Sequence, residues 1–388
     1  MAFINSDKIK NIFSKEKWRS FFTRDKFKRV FQNMLLFFGS TFFILIICEI
    51  LVRIFFNQTA YTVSSYPERM FDSKSETRLR PNFKGEFAPG EFSASIHINS
   101  IGLRDHEPIS DTSIYRILGL GDSFTFGHGV EAEESFIEIL ENKINKEEKT
   151  DILNAGIPGT GPDHYLKLYN HIKKSYKSDH VLFCLFIGND LNDLKLKKNK
   201  GGHGNNNAKK EDNSGSSFKT FLRKNVHLYS FVVDRAKTIP FVRKFLVNSG
   251  IAHGMIGNYI IDVLKPKLSI EYEKRWAYLF QIIKNTQDIN NNLTIVLIPT
   301  REQVYPDRLN KAIQQLGYNK KDIEIDFPNR KIVDFCKSNN INCIDLLPVF
   351  IKSSRTKKMY FDIDPHFNKL GHEMAAQIIY SKLMTNLK

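Results

Sequence analysis

Cysteine is scarce. There are four in 388 residues, with no C-x-x-C pair or other metal-ligand spacing, which excludes a zinc ribbon and a disulfide scaffold. Cys48 lies in a long apolar run and Cys184 in a strand-like one, so only Cys336 and Cys343 could pair. Lying between a helix end and the next strand, they read as two buried thiols. A cleavage signal is missing too. The basic leader exceeds 30 residues, the apolar run after it is too long for a signal-peptide core, and no A-x-A-like site follows. Ile47 occupies the place before Cys48 where lipoprotein processing needs a small residue. Negative charge is in deficit, with 57 Lys and Arg against 42 Asp and Glu for a net +15. On a folded domain such an excess would suggest nucleic acid, so its location decides the reading.

Much of that charge is at the front, where residues 1–30 hold nine Lys or Arg against three acids. Next comes "MLLFFGSTFFILIICEILVRIFF", residues 34–56, with only Glu49 and Arg53 charged. About 20 such residues at ~1.5 Å rise cross a hydrocarbon core of roughly 30 Å. We therefore expect a basic cytoplasmic segment over 1–33 and a transmembrane anchor over 34–56. The remainder is expected to be periplasmic or extracellular, because Lys and Arg flanking a span stay inside. Glu49, four residues before Arg53, has a helical neighbour to pair with. The charge thus serves topology, and the membrane rather than nucleic acid is the expected partner.

Residues 57–112 lack a helical period and carry Pro67, Pro81, Pro89 and Pro108, so they read as an extended segment wrapped on the domain C-terminal to it. Within it, "SASIHINSIGLRD" (Ser93 to Asp105) alternates as a half-buried strand and turns at Gly102. Arg104 and Asn99 are read as holding this extension on the domain. From Tyr115 on, apolar runs alternate with helical stretches. The expected strands are "YRILGL", "DILNAGI", "HVLFCLFIGND", "NLTIVLIPT" and "NCIDLLP", with helices near 132–147, 163–175, 271–288, 329–339 and 368–385. Near-continuous apolar strands separated by helices predict a three-layer α/β/α domain over 113–388, built on a parallel sheet of about five strands. An insertion at about 191–268 interrupts it. Its Gly/Asn/Lys-rich beginning, Lys195 to Ser217, reads as a solvated loop and its later part as helices over the sheet edge.

Ligands of an open α/β sheet gather at the carboxyl ends of its strands. There the sequence places Asp122-Ser123, Asn154-Ala155-Gly156, Gly188-Asn189-Asp190 and, after the last strand, Asp362, Asp364 and His366. A hydroxyl, a base, an acid to hold the base, and amide donors are what acyl transfer from an ester requires. Ser123 is the expected nucleophile and His366 the base. Ser123 N–H, Gly156 N–H and the Asn189 side chain are the expected oxyanion hole. Asp364, two residues before His366 across a stiff Pro365, is the expected acid, with Asp362 as the alternative. His128, Arg301 and Tyr305 are weaker substrate-binding candidates, and His372 reads as structural.

Taken together, "GDSF", "NAGIPGTG", "GND" and "DPHFN" resemble, in order, the four blocks of the SGNH/GDSL hydrolase superfamily. The Asp364-x-His366 spacing is similar to that of its alginate O-acetyltransferase branch. Two departures stand out: Gly188 directly precedes Asn189, and Ile363 stands where D-x-x-H would put the acid. The resemblance implies a flavodoxin-like fold and a serine esterase, needing neither metal nor cofactor. Such an enzyme would remove O-acyl, chiefly O-acetyl, groups from a glycan or small ester of the envelope. An O-acyltransferase serving polysaccharide machinery is the alternative, and a non-catalytic glycan-binding or assembly module the second.

Overall fold

The computed structural model describes residues 24–55, 66–67, 70–87, 91–109, 111, 113–194, 196, 225–236, 258–362 and 364–387. The basic leader up to residue 23 and the loop from Lys195 to Ser217, residue 196 apart, lie outside them. In chain order the elements begin with α1 (Arg24–Phe55), β1 (Lys84–Phe87), β2 (Ala94–His97), β3 (Tyr115–Gly121), α2 (Ser123–Phe126) and α3 (Phe136–Ile144). Then come β4 (Thr150–Gly156), α4 (Pro162–Ile172), β5 (His180–Phe186), α5 (Asp190–Asp193), α6 (His227–Ala236), α7 (Asn258–Asp262) and α8 (Ile270–Ile289). The last are β6 (Leu293–Ile298), α9 (Arg301–Val304), α10 (Pro306–Leu316), α11 (Phe327–Ser338), β7 (Asn342–Asp345), α12 (Leu347–Ser353) and α13 (Lys369–Leu387).

Five strands form the main sheet in the order β4-β3-β5-β6-β7, all parallel. Every residue of β4, β5 and β6 is buried, which is why their sequences are apolar runs rather than alternations. Side chains still alternate between layers. Ile117, Ile152, Leu182, Val296 and Ile344 share one cluster with Phe136, Leu140, Phe350 and Ile379 of α3, α12 and α13. Leu118, Leu153, Val181, Phe183 and Ile295 share the other with Tyr165, Leu168, Leu279, Ile283, Leu309 and Ile332 of α4, α8, α10 and α11. Each such side chain contributes about 1.5–3 kcal/mol on burial. Because α3, which follows β3, and α8, which follows β5, cover opposite faces, the chain diverges at the carboxyl ends of these two neighbouring strands. Ser123 follows β3 and Asn189 follows β5.

The extension forms an antiparallel pair, with Lys84 opposite His97 and Phe87 opposite Ala94. Buried Arg104 fixes it to the domain. Its guanidinium donates to Phe126 O, Gly127 O, Ser95 O and Val130 O at 2.7–3.1 Å, a fork that only arginine can supply. Asn99 closes its own turn by accepting from Ile101 N and Leu103 N. Helix α10 was not foreseen from sequence, although Pro306 opens it and Gly317 at φ 72° closes it.

Among the described residues, 24–55 and 225–236 make a separate unit. Its α1 is long and apolar enough to cross a membrane, with a mean hydropathy of 2.5 in its most apolar 18-residue window. Glu49 pairs with Arg53 at 2.8 Å as anticipated, and it also accepts from His227 N and Leu228 N at 2.9 and 2.7 Å. A carboxylate there meets the orphan donors of the first turn of α6. The insertion's described helix at 227–236 thus groups with the apolar helix.

Candidate active site

Strand β3 ends at Gly121, where an added Cβ would lie 2.0 Å from Thr125 Oγ1, so only glycine admits the tight entry into α2. The Asp122 carboxylate then caps that helix, accepting from Phe124 N at 2.9 Å. Ser123 stands at the first helical position, and its N–H has no acceptor within the helix. Its Oγ lies 2.7 Å from His366 Nε2, and His366 Nδ1 lies 2.6 Å from Asp364 Oδ1, which also accepts from His366 N at 2.9 Å. Asp362 points elsewhere: its side chain is 64% exposed and pairs with Lys358. Of the two acids considered, Asp364 is therefore the one at the imidazole.

A second histidine stands behind the acid. His128 Nε2 lies 3.2 Å from Asp364 Oδ2, its Nδ1 lies 2.5 Å from Tyr66 OH, and its ring stacks on His366 at 3.9 Å. Burial and the facing His366 pull the His128 imidazole down to about 4, so it is neutral. Since a carboxylate only accepts, His128 Nε2–H donates to Asp364, and Tyr66 O–H donates to His128 Nδ1. Burial works to raise the Asp364 carboxyl. His366 and His128 outweigh it and hold the group well below the usual carboxylate range. Asp364 is thus an anion with both oxygens engaged. Glu91 accepts from Asp364 N at 2.8 Å and from Asp362 N, and Arg301 donates to Asp364 O at 3.3 Å, fixing the loop that carries acid and base.

The amide donors expected at the oxyanion site fare differently. Gly156 N–H is already given to Asn154 Oδ1 at 3.0 Å, and a Cβ there would sit 2.2 Å from Phe126 N. Gly156 is therefore corrected from oxyanion donor to the close-packing point between β4 and α2. Asn189 is half-buried; its Nδ2 donates to Asp193 Oδ2 at 2.9 Å and retains a second N–H. Asp190 ties the same turn down, accepting from Tyr165 OH at 2.8 Å and Phe186 N at 2.9 Å.

Two of the three expected substrate contacts are also corrected. His128 is 1% exposed and bound to Asp364, so it faces the acid rather than a ligand. Arg301 is 5% exposed, its guanidinium turned onto the carbonyls of Asp362 and Asp364. Tyr305 OH accepts from Met359 N at 2.9 Å, bracing the loop before the base. Tyr66 and Glu91 were missed; both lie in the extension, and no motif spacing connects them to the blocks. His372 is structural, accepting from Phe136 N at 3.2 Å, with burial pulling it down to about 3. Cys336 and Cys343 are free thiols.

Five parallel strands in the order β4-β3-β5-β6-β7, with a hydrogen-bonded Ser123-His366-Asp364 line at their carboxyl ends, have the arrangement that acyl transfer from an ester requires. Residues 262–388 match the family model described as an SGNH hydrolase-like domain of the acetyltransferase AlgX, a stretch that includes Asp364 and His366 but not Ser123. No curated protein matches the chain. Among solved structures, it is similar to a lipolytic protein of the G-D-S-L family from Veillonella parvula, at 12% identity over 70% of this chain and 98% of that one, TM-score 0.38. A lipase/acylhydrolase from Enterococcus faecalis matches at 15% identity over 70% and 97%, TM-score 0.37. An acetylxylan esterase from Geobacillus stearothermophilus, solved as a catalytic mutant, matches at 10% identity over 71% and 96%, TM-score 0.36.

Proposed function

We propose that the protein handles O-acetyl groups of an envelope glycan through an acetyl-Ser123 intermediate, outside the cytoplasm, with α1 as its membrane anchor. The observation that carries this is the Ser123 Oγ to His366 Nε2 contact of 2.7 Å, backed by ionised Asp364. With Asp364 accepting from Nδ1–H, the Nε2 lone pair faces Ser123 and takes its proton as Oγ attacks the ester carbonyl. His366 then returns that proton to the departing alcohol. Ser123 N–H and the spare Asn189 N–H stabilise the oxyanion. The turn after β4 supplies a third donor at Gly159, which is exposed at φ 67° with nothing where a side chain would go.

Water as the acceptor makes the protein an esterase. A sugar hydroxyl makes it an O-acetyltransferase, a reading favoured by the description of the family model that matches residues 262–388. Incubating the full chain in detergent with p-nitrophenyl acetate and a serine-reactive phosphonate tests the shared chemistry. Turnover and label are expected on wild type and neither on Ser123→Ala; equal background turnover with no label would defeat it. Adding an oligosaccharide acceptor then separates the two: acetyl appearing on the sugar marks transfer, and acetate alone marks hydrolysis.

A further inference from the structure

A second cluster of titratable groups lies away from the nucleophile, where the end of the extension, α3 and the edge strand β4 meet. It comprises Asp105, His106, Glu138, Glu141 and Asp151. His106 Nδ1 lies 2.5 Å from Asp105 Oδ1, while its Nε2 lies 3.2 Å from Asp151 Oδ1 and 3.7 Å from Glu141 Oε1. The ligand atoms of His106, Glu141 and Asp151 all fall within 4.8 Å of one another. A tetrahedral ion with bonds of about 2.1 Å keeps its ligands about 3.4 Å apart, close to these separations. The Asp105 carboxylate takes the Nδ1–H, which turns the Nε2 lone pair toward the two other acids. This is how metal-binding histidines are held.

Part of the cluster has a structural duty. Asp105 Oδ2 accepts from Asn154 N and Glu141 Oε1 accepts from Ile152 N, covering donors on the edge of the sheet. Asp151 has no such duty. Its side chain is 0% exposed; Oδ1 faces the His106 ring at 3.2 Å, and Oδ2 has no hydrogen-bond partner among the described residues. A buried carboxylate left so is costly unless a cation or a proton neutralises it. The His106 ring, 38% exposed, leaves a path from solvent.

We propose that His106 Nε2, Glu141 Oε1 and Asp151 Oδ1 bind one divalent first-row cation, Zn²⁺ or Mn²⁺, at a structural site distinct from the catalytic centre. Imidazole with carboxylates suits these ions. The cation clamps α3 and residue 106 to β4. Asn154, held there by Asp105, donates to Thr125 O in α2, so the site steadies the floor beneath Ser123 without touching substrate.

The test uses the full chain in detergent, stripped with chelator and titrated calorimetrically and by thermal melting with Zn²⁺, Mn²⁺ and Ca²⁺. One equivalent of Zn²⁺ or Mn²⁺ is expected, with a melting rise of at least ~2 °C at saturation. Asp151→Asn and His106→Gln should each weaken binding at least about 10-fold, and His366→Ala should bind as wild type. If Asp151→Asn does not fold, His106→Gln at its half-exposed position decides alone. No binding at sub-millimolar cation, preference for Ca²⁺, or a loss that follows His366→Ala instead of His106→Gln would overturn the site.

Discussion

Asp364 and Asp362 are two residues apart, both flank the base, and only one touches it. Asp364→Asn keeps the shape but replaces the acceptor at His366 Nδ1, and in hydrolases using this triad logic such a change costs about 10⁴ in kcat. We expect a loss of that order for Asp364→Asn and less than about 3-fold for Asp362→Asn, whose exposed partner is Lys358. Rates on p-nitrophenyl acetate decide, and the reverse order would unseat the triad. Behind Asp364, the His128 hydrogen bond to a charged acceptor carries about 1.5–3 kcal/mol, or 10- to 100-fold. His128→Phe should lower kcat by about that factor with little change in KM, while His128→Gln, which keeps a donor, should recover most of it; a Phe variant as fast as wild type refutes the role. The Ser123, His366 and Asp364 contacts were legible because each residue belongs to a short block at a strand end. His128 was misjudged because distance along the chain from Ser123 says nothing of which way a ring faces, and Tyr66 left no local signal.

At the scale of elements, all five strands could be read from sequence, β4, β5 and β6 most directly because a strand buried on both faces has no polar alternation to hide it. The glycines of one motif could not be told apart in the same way. Gly156 lies under α2, with Phe126 N and Thr125 C at 2.2 and 2.5 Å from a Cβ, backbone atoms that cannot rotate aside. Gly159 has open space and a positive φ of 67°. Gly156→Ala must push the helix bearing Ser123 off its strand, an overpacking that costs about 1–3 kcal/mol or more. Gly159→Ala meets only the left-handed penalty of about 1–2 kcal/mol. Denaturant midpoints should therefore fall further for Gly156→Ala, and its kcat should collapse while Gly159→Ala keeps most of its rate. Equal stability and activity in the two would mean that β4 and α2 are not so closely packed. Helix α10 had its signals in sequence, a proline start, a left-handed glycine stop, and Leu309, Ala312, Ile313 and Leu316 on one face between them, set among charged and amide residues.

For the whole molecule, the net charge of +15 proved less informative than where buried charges sit. The cluster beside β4 makes stability depend on alkaline pH in one direction. Burial and Asp105 push the Glu138 carboxyl up to about 9, and burial pushes Glu141 to about 7. The folded protein therefore holds protons that the unfolded chain, with glutamates near their ordinary 4.5, has released, and stability falls as pH climbs toward those values. The His106 imidazole adds to this with the same sign. Raised to about 11, it contributes stability that is fully present below about 6.5 and is lost as pH rises through the folded value. In chelator, the melting temperature should thus decline steadily from neutral pH into the mildly alkaline range. Glu138→Gln imitates the protonated acid and still donates to Asp105, so it should make that decline shallower while leaving the neutral-pH melting temperature nearly unchanged. A bound divalent cation replaces the protons outright, and with saturating Zn²⁺ or Mn²⁺ the decline should flatten in wild type. Melting that is level with pH in chelator, or a slope that Glu138→Gln leaves untouched, would mean the cluster is already neutral by other means.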